Sequence, residues 1–138
     1  MEVASIITSR KDVLNIFRDF ILSYPKLKLK LKDSDTMYFT NGKDEKIQIY
    51  FHYLINDTGS EFSYNYTESA VSKIEKYFDD QMIYIFDISF REELILRQMI
   101  NDFVSYLLKM NDKDAIERIL FDHPHYGIMS LVFYCDMS

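Results

Sequence analysis

A chain of 138 residues, 48% hydrophobic and 16% aromatic, is long enough to bury one core and shorter than two domains usually need. Its 16 Lys and Arg against 22 Asp and Glu leave a net charge of −6, which argues against a nucleic-acid-binding footprint. A single cysteine rules out an internal disulfide, and no apolar run approaches the ~18 residues of a membrane span.

The opening "MEVASIITSRKDV" lacks the cationic start and long apolar core of a signal peptide, so the chain reads as soluble and cytoplasmic. In "TSRKDVLNIFRDFILSYP", Ser9 is the expected N-cap and Asp12 falls in the first turn. Val13, Phe17, Phe20 and Ile21 then recur on one face, and Pro25 closes the helix because it has no N–H to continue the ladder. From Lys26 the period changes to two. Leu27, Leu29 and Leu31 alternate with Lys26, Lys28, Lys30 and Lys32, the pattern of an edge strand whose lysines discourage pairing with another chain.

Met37 and Phe39, then Ile47, Ile49, Phe51 and Tyr53, flank Asn41-Gly42 and predict a hairpin. "EFSYNYT" supplies another alternating strand through Phe62, Tyr64 and Tyr66. "ESAVSKIEKYFDD" sets Ala70, Val71, Ile74 and Phe78 at helical spacing, and "MIYIFDI" is apolar enough for an interior strand. A long helix from Phe90 to Met110, a short one from Asp112 to Phe121 and a strand from Ile128 to Cys135 complete the order. These elements predict a single α+β domain over 1–138: a mostly antiparallel sheet of about five to six strands packed with helices, N-terminal helix first.

Chemical motifs are sparse. There is no glycine-rich phosphate loop and no G-x-S-x-G elbow, so neither a cofactor nor a serine-hydrolase site is expected. "FDHPHY" gathers Asp122, His123 and His125, but a metal site needs about three or four ligands and a polar turn broken by Pro124 is the simpler reading. Asp44-Glu45-Lys46 matches the acidic-x-lysine element of a broad nuclease fold, yet it falls in a hairpin turn with no upstream Pro-Asp pair. Asp87 interrupts an apolar strand and reads as a cap for the following helix. Glu92 and Glu93 read as first-turn acids that favour the helix dipole. Cys135, inside "GIMSLVFYC", reads as a buried thiol.

Charge is distributed unevenly. Residues 1–46 hold nine basic against seven acidic side chains, and residues 47–138 hold seven against fifteen, a balance of −8. A basic protein is the natural electrostatic partner for such a segment. Tyr38, Tyr50 and His52 fall opposite the apolar set of their strands, where aromatic side chains with a polar tip serve as interface anchors. Asp57, Glu61, Glu68, Glu75, Asp79 and Asp80 would frame the same contact surface.

The acidic stretch "EFSYNYTESAVSKIEKYFDD", the aromatic hairpin "KIQIYFHYL" and the lack of a catalytic signature resemble the bacterial immunity proteins of polymorphic and contact-dependent toxin systems. The resemblance implies a non-catalytic cytoplasmic inhibitor that binds a toxin domain, often a basic nuclease, and blocks its active site or an adjoining surface. It carries no functional residue over. Two other readings stand beside it: an acidic secretion chaperone that wraps an effector segment, and a small enzyme built on Asp87, Glu92, His123 and His125.

Overall fold

The computed structural model describes residues 2–25, 28–32, 36–40, 46–52, 66–79 and 82–137, with side chains described for 2–25, 66–79 and 82–137. The first element is a strand, β1 (Glu2–Thr8), and not the expected helix. Its last five residues are all buried, so β1 is covered on both faces and shows no alternation. The helix follows as α1 (Asp12–Leu22) and buries Val13, Leu14, Phe17, Phe20 and Ile21. Its N-cap is Lys11, without a side-chain cap bond, and the Ser9 hydroxyl is buried with no partner, so Ser9 does not play the capping role expected of it.

The remaining strands are β2 (Lys28–Lys32), β3 (Thr36–Thr40), β4 (Lys46–His52), β5 (Tyr84–Phe90), β6 (Ile119–His123) and β7 (Gly127–Ser130). They form one sheet in the order β2-β3-β4-β5-β1-β6-β7, every pairing antiparallel. The described strands number seven, four of them (β1, β5, β6 and β7) with described side chains; the expectation of five to six is corrected. Two expected boundaries also change. The short helix contracts to α4 (Lys113–Glu117) and is followed directly by β6. The expected last strand ends at Ser130, whose hydroxyl accepts from the Phe133 N–H at 3.1 Å and starts a helix, α5 (Leu131–Asp136).

β2 lies at the edge of the described sheet, but its register against β3 shifts between Leu29 and Leu31, so the regular two-residue repeat expected of it is interrupted there. Leu27 and most of the "EFSYNYT" segment (61–65) lie outside the described residues. Tyr66 and Thr67 lead instead into α2 (Glu68–Tyr77), capped by Thr67.

Strand parity sorts the core into two layers. On one face Ala4, Ile6, Phe86, Ile88, Phe90, Ile119 and Phe121 meet α1 and α3 (Glu93–Lys109). Phe17 sits 4.8 Å from both Phe86 and Phe103, joining sheet and both helices. On the other face Ile7, Ile85 and Leu120 receive Ile74 and Phe78 of the α2 segment. Each of those two side chains gains about 2–3 kcal/mol on burial. Arg10, just past β1, binds Asp12 and Asp112 and reaches Asp114 at 3.3 Å, tying the start of α1 to the α3–α4 connection. Among the described residues no helix is long and apolar enough to cross a membrane.

Candidate functional site

β6 carries polar groups at two consecutive positions, and the pleat sends them to opposite faces. His123 shares its face with Phe121 and is 1% exposed. The His125 backbone N–H donates to its Nδ1 at 3.1 Å, so that nitrogen is an acceptor. The ring proton therefore belongs on Nε2, which donates to Glu93 Oε2 at 2.7 Å. Glu93, in the first turn of α3, also accepts from the Tyr134 hydroxyl at 2.7 Å and from Arg97 at 3.3 Å. Burial, reinforced by this carboxylate, pushes the Tyr134 phenol far above its ordinary pKa. Arg97 completes the group by donating to the Tyr134 and Met137 carbonyls at 2.9 and 2.7 Å, with its guanidinium 4.6 Å from the centre of the Tyr134 ring.

Above this network the β6–β7 turn holds a second histidine. His125 pairs with Glu2 on β1, and Tyr126 stacks on His123 with ring centres 4.3 Å apart. Glu2, Phe90, Arg91, Glu93, His125 and Tyr126 line a cleft of about 480 Å³. Both nitrogens of His123 are engaged and its ring is enclosed, so it fixes the turn and is not presented to a reactant.

On the opposite face, Asp87, Ser5 and Asp122 occupy one row across β5, β1 and β6. Ser5 Oγ donates to Asp87 Oδ1 at 2.7 Å, and the Tyr66 phenol hydrogen-bonds with Ser5 and Asp122. Burial raises the Asp122 pKa; the Tyr66 hydrogen bond opposes the rise and the Asp87 charge adds to it. Asp87 is therefore not a helix cap. The N-cap of α3 is Glu92, which makes no side-chain cap bond.

The fold divides the residues of the enzyme reading. Asp87 lies on one face of the sheet and His123 on the other, while Glu92 is exposed at the start of α3. Glu93 does more than favour the helix dipole, since it receives three side-chain donors. Among the described residues no group of three His, Cys, Asp or Glu side chains could hold a metal ion.

Of the expected contact residues, Glu68 and Asp79 are exposed at the two ends of the α2 segment and Glu75 is half-buried. Tyr38, Tyr50 and His52 are placed by backbone register opposite Gln48, Asp87 and Ile85, and their side chains lie outside the described set. Asp57, Glu61, Asp80 and the Asp44-Glu45 pair lie outside the described residues. Sequence reasoning missed Glu2, Arg97, Tyr126 and Tyr134. Only Tyr126 carried a local signal, through its place in "HPHYG".

No family model matches this chain, and no curated protein or solved structure matches it either.

Proposed function

We propose that this chain is a non-catalytic, cytoplasmic binding protein that neutralises a cognate, basic toxin domain by direct protein–protein contact. The observation that carries the reading is the charge partition: residues 47–138 hold fifteen acidic against seven basic side chains. A surface of that sign accelerates encounter with a basic domain and penalises acidic competitors. Glu68 and Asp79, exposed on the α2 segment, display part of that charge. The engaged state of His123 and Glu93 supports binding over catalysis, because these groups already satisfy one another.

The test is to identify the gene beside this chain's and, where it encodes a toxin domain, to co-purify the two products and follow the growth of cells expressing both. Complex formation together with restored growth is expected. Failure to bind that domain ends the reading. A dimer that instead holds an effector's unfolded segment would fit the chaperone reading.

A further inference from the structure

The two edges of the sheet are built differently. β2 has the sequence Lys-Leu-Lys-Leu-Lys and a register shift against β3, both of which are features that discourage another strand from pairing. β7 has neither. Its sequence is Gly-Ile-Met-Ser, and from Tyr126 to Cys135 the chain carries no charged side chain. Among the described residues its ladder runs to β6 alone and no backbone hydrogen bond reaches its outer side. Exposed apolar side chains stand at both ends: Tyr126 at 50% before the strand, Val132 at 45% and Phe133 at 61% after it. The strand is held in place from within, because the turn before it is fixed by the His123–Tyr126 stack and the His125–Glu2 pair. The serine that ends it caps α5.

We propose that the outer edge of β7 is a docking edge, on which an extended segment of the basic partner adds an eighth strand to the sheet. The inference rests on the function proposed above and adds where, and in what conformation, the partner is held. Charge selects this occupant over a second copy of the chain. Symmetric β7–β7 pairing would bring two bodies of net charge −6 together, whereas a basic partner is drawn in at long range and meets a neutral edge at contact. Tyr126 and Phe133 would flank the added strand as apolar anchors.

Residue-resolved amide hydrogen exchange on the full chain, free and saturated with the toxin domain encoded by the neighbouring gene, tests the proposal. Alternate amides within Gly127–Ser130 are expected to gain at least about tenfold protection, because successive strand N–H groups point to opposite sides. Ile128→Pro and Met129→Pro, made separately, sharpen the result. One removes an N–H that faces β6; the other removes an outward one and should weaken binding about three- to tenfold or more while leaving the free chain folded. Binding with no change in exchange at Gly127–Ser130 overturns the docking edge and leaves the proposed function standing. Absence of binding overturns both. Self-association of the free chain through β7, seen by sedimentation and abolished by the same proline variants, overturns the choice of occupant.

Discussion

Glu93→Ala is the perturbation that most directly tests the buried network. It removes the acceptor of the His123 Nε2–H and of the Tyr134 hydroxyl, each held at 2.7 Å, and both residues are at most 1% exposed. His123 cannot escape by changing tautomer, because its Nδ1 already accepts from the His125 N–H. Each orphaned donor costs about 1–3 kcal/mol. The Glu93 side chain is 37% exposed at the cleft, so water can enter and the cost should fall in the lower part of that range. The sum is about 2–4 kcal/mol, or a fall in Tm of roughly 6–15 °C for a chain of this length. Glu93→Gln should cost less than Glu93→Ala, since the amide oxygen can still accept from His123 while the NH2 donates to a rotated Tyr134 hydroxyl, and Arg97 loses its Glu93 contact but keeps the Tyr134 and Met137 carbonyls. Urea unfolding of both variants measures the difference directly. Adding Tyr134→Phe to Glu93→Ala should recover about 1 kcal/mol by removing one orphan. A Glu93→Ala protein within about 0.5 kcal/mol of the parent, or a Gln variant as damaged as the Ala variant, would refute the reasoning.

Arg10→Ala should lower stability at neutral pH by about 1–2 kcal/mol, discounted from ideal ion pairing because Asp12 is 57% exposed and Asp112 21%. Hydrogen bonds from Arg10 hold both carboxyls below the ordinary value of 3.8, so their contribution is present above that value and is lost as pH falls through the folded pKa values. Acid titration by circular dichroism should show the difference between parent and variant vanishing at low pH. Asp122→Asn should act in the opposite sense. Burial raises the Asp122 pKa, so its contribution is present below the unfolded value and lost as pH rises through the folded one; the amide should therefore raise Tm at pH ~7, with the gain shrinking toward pH ~4. Burial pushes the Cys135 thiol up to about 11, and its reaction with an aromatic disulfide at pH ~8 should be at least about tenfold slower than that of a free thiol; equal rates would contradict the packing around α5.

What the sequence disclosed followed from periodicity, and what it hid followed from the lack of it. The stripe Val13, Phe17, Phe20, Ile21 announced α1 because one face is apolar and the other is not. β1 gave no such contrast: Ala4 to Thr8 are all buried, the polar Ser5 and Thr8 included, so neither period shows in the sequence. β6 was concealed because Ile119 and Leu120 extend the spacing of α4, and α5 because "SLVFYC" reads as strand unless Ser130 is recognised as a cap. The sites obey the same logic. Asp87 stood out as a carboxylate inside an apolar strand, but its partner Ser5 lies in the strand that went unread. Glu93 and His123 are thirty residues apart, and only the antiparallel return of β6 brings them together.

The two polar clusters have a joint consequence for how the sheet is specified. Asp122 and His123 are neighbours on β6, and each is satisfied on its own face, one by Tyr66 and the other by Glu93. A one-residue slip of β6 against β1 would exchange the faces. Aspartate would then meet the Glu93 carboxylate, and histidine would lose the one acceptor that its fixed tautomer requires. Phe121 and Leu120 would also trade layers, but apolar side chains of similar bulk tolerate such exchanges far better than buried ionisable groups do. Hydrophobic burial thus explains why β6 enters the sheet, whereas the Asp122–His123 pair explains why it enters in this register, which also sets where the β7 edge emerges.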